Sequence, residues 1–200
     1  MIDPAKAALL LLDCENRIVH PDGTVARAMG LDREIARLGT LKTLESLLTA
    51  ARQVGLCVMH VHIDRALGQG RRLSRTGEFY KGLTAATPQE DPWQSAFYKT
   101  LAPVEGEPVI GKFPISAFAN SSLAEELAAR DIEQLILTGV ATHMVVEATA
   151  RPAADMGFDV FVVEDAVAAP SAEIQTETLA RLAFFVDVIT SQTVLDMLGA

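Results

Sequence analysis

LILTGVATHMVVEATA, residues 135–150, decides how the chain folds. Three aliphatic residues run into Thr138 and Gly139, and a stretch of small and aliphatic residues with helical character follows directly. An apolar run that ends at a glycine and passes at once into a helix reads as a buried strand, a tight turn and a helix. Turns of this kind often hold a catalytic nucleophile. This one offers threonines and His143, and otherwise aliphatic residues. Further on, Pro152 removes a helical N–H and crowds the carbonyl four residues back, so a kink or a restart is expected there.

The same grammar repeats outward. Apolar runs occupy residues 7–13, 56–63, 107–112, 159–166 and 185–190, in addition to 133–140. They are continuous more than alternating, as in strands covered on both faces of a parallel sheet. Helical segments lie between them. LDREIARLGTLKTLESLLTAARQVG reads as one helix ending at Gly55, and SSLAEELAARDI as a helix capped by Ser121 or Ser122. Strands alternating with helices predict an α/β sheet with helices on both faces, as one domain over residues 1–200. The exception is 64–106, long, rich in Gly, Pro and polar residues, and carrying Phe79, Tyr80, Trp93, Phe97 and Tyr98. It is either a lid or pocket wall, or an insertion pinned to the body by its aromatics.

Half of the 200 residues are hydrophobic and the formal net charge is -9. That is core enough for one large domain, and the acidic balance disfavours nucleic acid and anionic membranes as partners. The basic cluster at 65–75 reads as a solvated loop feature. No secretory pattern opens the chain, and no run reaches the ~20 apolar residues of a membrane span. A cytoplasmic domain is expected. Two cysteines, Cys14 and Cys57, make neither a disulfide framework nor a metal cluster.

In an open parallel sheet the ligand crevice lies at the carboxyl ends of the strands. Asp13 follows the first run, Lys112 ends the third, and the Val140–Val145 turn follows the fourth. Backbone N–H groups from Ala141 to Val145 are expected to be open to an anion or oxyanion. An acid, a base and such donors point to acid–base hydrolysis.

The segments LLLLDCEN, VIGKFPISAF, LILTGVATHMVVEATARPAADMGF and VVEDAVAA together resemble the isochorismatase-like hydrolases, often called cysteine hydrolases. The likeness spans nearly the whole chain and is weakest at 64–98. It implies a three-layer α/β/α sandwich around a six-stranded parallel sheet of order 3-2-1-4-5-6. That order sets Asp13 beside the turn and requires the segment after Lys112 to fold back over the crevice. It also implies a non-proline cis peptide at Val140–Ala141. Most members use an Asp, a Lys and a nucleophilic Cys. Asp13 and Lys112 match, and the cysteine position falls on Val145, which is no nucleophile. True isochorismatases also lack the cysteine, carry a His at the position of His143 and cleave a vinyl ether with water. The resemblance therefore implies Asp13 as general acid and base, Lys112 tuning it, and water in place of the thiol.

Departures from the pattern also matter. Phe113, Pro114 and Ile115 stand where isochorismatase has large polar and aromatic residues, which argues against isochorismate itself. Glu15 replaces a usual Gln and is expected to change the charge at the pocket mouth. Phe113, Phe118, His143 and Trp93 are the expected pocket wall. Cys14 follows Asp13, but adjacent strand-end residues point apart, so it reads as a packed thiol rather than a displaced nucleophile. His60 and His62 share a strand face near the metal ligands of nicotinamidase-like relatives. Their spacing differs, so no metal and no cofactor are expected. His20 gives no signal. A small-molecule substrate and a homo-oligomer, dimer or tetramer, are expected. The competing reading is an inactive member kept as a binding or assembly module. A nucleotide-binding domain fails for want of a Gly-rich loop after the first strand.

Overall fold

A computed structural model describes residues 2–85 and 91–199. Six strands, β1 (Ala7–Leu12), β2 (Cys57–Ile63), β3 (Val109–Lys112), β4 (Gln134–Val140), β5 (Asp159–Ala168) and β6 (Asp187–Ile189), form one sheet of order β3-β2-β1-β4-β5-β6. Every pairing is parallel. The helices are α1 (Asn16–Val19), α2 (Thr24–Met29), α3 (Leu31–Leu38), α4 (Thr40–Gln53), α5 (Glu78–Ala85), α6 (Pro92–Ser95), α7 (Leu123–Ala129), α8 (Glu147–Asp155), α9 (Ala172–Leu182) and α10 (Ser191–Leu198). None of the described helices is long and apolar enough to cross a membrane.

The leucine run of β1 shows why its sequence does not alternate. Ala8, Leu10 and Leu12 pack on one face of the sheet with Leu123, Leu127, Val146 and Ala150 from the α7 and α8 side. Ala7, Leu9 and Leu11 pack on the other with Leu44, Leu47, Leu48 and Val194 from α4 and α10. Both faces are covered, so each successive residue must be apolar. Each fully buried leucine contributes roughly 1.5–3 kcal/mol by transfer from water.

The long predicted helix is two. Gly39, at φ 69°, ends α3 in the left-handed region, and α4 restarts on the next residue. A glycine takes that conformation without a Cβ clash, which the helical spacing alone concealed. Gly139 has a different necessity. Its φ is 105° and a Cβ there would lie 2.1 Å from the Leu12 carbonyl oxygen. Only a residue with no side chain lets β4 approach the end of β1 so closely. β5 meets this strand with a register shift between Leu137 and Gly139.

The insertion after β2 does two things. Tyr98 N donates to Cys14 O at 2.8 Å and Asn16 N to Ala96 O at 2.8 Å, so residues 96–98 lie against the chain just beyond β1. Phe97 sits edge-on to both His60 and His62, at 5.6 Å from each. Farther forward, α5 turns Phe79 and Leu83 toward the carboxyl ends of the strands.

Candidate active site

β1 ends in a residue with a constrained backbone. Asp13 has φ 54°, the left-handed region that asparagine and aspartate tolerate better than other side chains. Its N–H is held by the Val61 carbonyl at 2.8 Å. The twist separates neighbours: Cys14 turns into the α4-side core, its Sγ near the Leu12 carbonyl, while Asp13 faces a cavity. Burial and the nearby Asp13 and Glu15 carboxylates push the Cys14 thiol far up, so it stays protonated.

Lys112 closes β3 and is 1% exposed. Its Nζ donates to Asp13 Oδ2 at 2.8 Å, to Ile115 O at 2.8 Å and to Pro114 O at 3.4 Å. The segment after the lysine therefore folds back, with a cis peptide at Phe113–Pro114. Phe113 N donates to Ala119 O at 3.0 Å and Asn120 Nδ2 to Phe113 O at 2.7 Å, which closes the loop. Asp13 is left with one oxygen tied to the ammonium. The other, Oδ1, is buried and has no hydrogen-bond partner among the described residues. Burial pushes its carboxyl up, and the Lys112 and Arg17 charges pull it back without fully offsetting this.

The cavity in front of Asp13 holds about 130 Å³. Its floor is Val140, Ala141 and Val145, and the Val140–Ala141 peptide is cis. Phe113, Pro114 and Ile115 form one wall, and Ile18, Val25 and Met29 another. Apart from Asp13 and Lys112, its charged lining is Arg17 and Arg65.

The turn itself is a π-helical stretch, Thr142–Val146, leading into α8. Its donors are less open than the sequence implies: Met144 N and Val146 N turn back to the Ala141 carbonyl at 3.1 and 3.3 Å. None of the three threonines is placed as a nucleophile. Thr138 Oγ1 donates to Leu10 O at 2.9 Å, and Thr142 Oγ1 to Gln175 Oε1 at 2.7 Å. Thr149 Oγ1 accepts from Ala117 N at 3.0 Å. Pro152 lies inside α8, which runs through it to Asp155.

Asp13, Lys112, Phe113, Val140, Ala141 and Val145 thus meet around one space. Four other expected site residues do not. His143 faces a neighbouring groove with Tyr80, Glu147 and Arg151, because residues two apart on a helical turn point to opposite sides of it. Burial lowers the pKa of its imidazole. Phe118 packs into the core and stacks with Phe158 at 6.4 Å. Trp93 is 42% exposed and sits edge-on to His20 at 4.9 Å. Glu15 is not at the mouth; it is fully buried and paired with Arg17. His60 bonds Glu107 through Nε2 at 2.7 Å, and no group of three His, Cys, Asp or Glu among the described residues is placed to hold a metal ion. Arg17, Met29 and Leu83 line the cavity without having been expected there, and Phe79 does so as one of the aromatics of the insertion read as either a pocket wall or a pin. A signal for Arg17 existed: the acid of DCEN, once buried, needs a cation, and Arg17 is the nearest in sequence.

Residues 7–193 match the isochorismatase domain in a comparison with protein families. Among solved structures, an isochorismatase family protein from Burkholderia thailandensis is 27% identical with a TM-score of 0.77, over 100% of this chain and 98% of that one. A cysteine hydrolase from Pseudomonas syringae pv. phaseolicola 1448A shares the fold at a TM-score of 0.80 and 24% identity, over 99% of this chain and 94% of that one. So does an isochorismatase family protein from Desulfovibrio vulgaris subsp. vulgaris str. Hildenborough, at 0.80 and 24%, over 98% and 99%. With almost the whole chain matched by that domain, it belongs to the isochorismatase family.

Proposed function

We propose that the protein hydrolyses a small molecule with water as the nucleophile and Asp13 as general acid and base. One observation carries this reading. Asp13 lines the cavity and has a carboxylate oxygen to spare, the buried Oδ1, unpartnered among the described residues, while the aliphatic Val145 stands in the nucleophile's position on the same cavity.

The chemistry follows from that oxygen. As water attacks the substrate, Asp13 takes one of its protons and then passes it to the departing group, so the carboxyl ends as it began. In a vinyl ether the same carboxyl acts first as acid, protonating carbon before water adds. Either sequence benefits from burial, which raises the carboxyl toward the working pH. Lys112 opposes the rise and anchors Oδ2, which leaves Oδ1 as the oxygen with no donor to hold it among the described residues. The largely apolar walls favour a small substrate with few charges of its own.

Turnover of vinyl ethers, amides and ureides by wild type and by Asp13→Asn tests this. Asn preserves shape and cannot exchange the proton, so a loss of about 10²–10⁴-fold is expected with an unchanged circular-dichroism spectrum. Turnover that survives the substitution overturns the Asp13 reaction. Val145 in the nucleophile's place also suits a second reading, a binding module, which is favoured if all three classes stabilise the fold and none is turned over.

A further inference from the structure

A second buried ion pair stands behind the first. Glu15 is fully buried, and its Oε1 accepts from Arg17 Nε at 3.1 Å and Nη2 at 2.8 Å. Its other oxygen accepts from Ile63 N at 3.2 Å, and the same Nη2 reaches Ile63 O at 3.4 Å. Ile63 ends β2 and is the sheet partner of Lys112. The pair therefore braces the turn that carries Asp13 against the strand beside the lysine. Arg17 also lines the cavity next to Asp13. Holding two ions out of water is costly, and an apolar pair of similar volume fills such space at no penalty. The reaction proposed above leaves both residues without a task.

We propose that Glu15 and Arg17 form a positioning pair for Asp13, in which Arg17 is a second fixed positive charge beside the reacting carboxylate and Glu15 sets where that charge stands and how much of it the cavity feels. This rests on Asp13 being the reacting carboxylate. The charged groups around Asp13 come from every side: Lys112 from β3, Arg17 from α1, Glu15 from the turn between β1 and α1, and Arg65 from the 3₁₀ turn after β2. Lys112 touches the carboxylate, while Arg17 acts through space to favour its ionised form. Glu15 has the opposite sign. Burial and repulsion from Asp13 push its own carboxyl up to about 7, against the pull of Arg17. Two carboxylates two residues apart thus share one guanidinium. The fork geometry of arginine suits this task, because it can hold Glu15 with one edge and keep the position of its charge fixed; a lysine supplies the charge without the fork.

A carboxyl ¹³C NMR titration tests the proposal without any substrate, with the Asp13 resonance assigned by its loss in Asp13→Asn. Arg17→Gln removes the second cation and should raise the Asp13 midpoint by about 1 pH unit, and Arg17→Lys should recover most of that rise. Repulsion from ionised Asp13 holds Glu15 up to about 7, so Asp13 loses its proton first and its resonance should show a second, smaller inflection where Glu15 follows. Glu15→Gln keeps the shape and cannot ionise, so it should remove that second inflection and leave the main midpoint in place. Should Arg17→Gln fail to fold, the Glu15→Gln titration decides the matter. An Asp13 midpoint unmoved in Arg17→Gln, or a second inflection that is absent in wild type or survives in Glu15→Gln, reduces the pair to a structural brace and overturns the proposal. The readout is independent of turnover: retained activity in Asp13→Asn would remove the proposed reaction and leave the titration interpretable.

Discussion

β3 has a carboxylate at each of its ends, half-buried Glu107 before it and buried Asp13 beyond it, and the protein treats them in opposite ways. Before the strand, Glu107 accepts from Arg52 Nε at 2.7 Å and Nη2 at 2.9 Å, from His60 Nε2 at 2.7 Å and from Val104 N at 3.0 Å. Burial alone would raise this carboxyl, but those donors outweigh it and hold it at about 2. Beyond the strand, Asp13 meets Lys112 with one oxygen, while the other is buried with no hydrogen-bond partner among the described residues. There burial wins over the two cations and the carboxyl rises. A saturated carboxylate is a strut. A half-satisfied one keeps the capacity to exchange a proton, at a cost in stability that the surrounding packing offsets.

The largest expected break comes at the half-open end. Lys112→Met leaves Asp13 buried without its contact cation and should cost about 3–5 kcal/mol at neutral pH in urea unfolding. The sign with pH is fixed by the carboxyl. Without the lysine its folded pKa rises further, so the penalty is greatest at high pH and eases as falling pH lets Asp13 take a proton. Next comes the saturated end. Glu107→Gln should cost roughly 1.5–3 kcal/mol in the same measurement and leave turnover unchanged. The folded pKa of Glu107 lies below its ordinary 4.5, so its contribution is present above pH 4.5 and is lost as pH falls toward 2. The glutamine variant should lack that acid slope. The smallest effect belongs to Glu15, whose pKa is displaced the other way, from 4.5 to about 7. Its contribution is present below pH 4.5 and is lost as pH rises through about 7, so Glu15→Gln should flatten wild-type stability across that window. Equal slopes in wild type and variant would contradict this.

The sheet was legible because burial on both faces leaves no room for polar residues. AALLLLD, LILTGV and DVFVVEDA announce themselves wherever they occur. Asp13, Lys112 and the turn after β4 were legible because they lie at strand ends, which converge in a parallel sheet, while Val145 was singled out by the resemblance alone. What escaped depended on rotation or pairing that composition does not encode. His143 is two residues from Val145, and a helical turn sends side chains at that spacing to opposite sides and so to different spaces. Glu15 reads from sequence as an acid at the pocket mouth, whereas it is buried and held by Arg17. Gln175 drew no notice in α9, yet it holds Thr142 and the carbonyls of Glu164 and Val167, clamping the turn to β5. Phe79 and Leu83 come from the insertion, whose sequence admitted both a covering and a pinning role; α5 does the first, and Phe97 and Tyr98 do the second.

Gly139 bears on how this pocket can be reshaped. In a saturation library across residues 138–146, substitutions at Val140 or Val145 exchange one cavity-lining side chain for another. At position 139 every alternative meets the backbone of Leu12, which has no rotamer by which to yield. The route from this chain to a neighbouring specificity therefore runs around that glycine: the pocket's walls are open to selection, while the seam between β1 and β4 beneath them admits one letter.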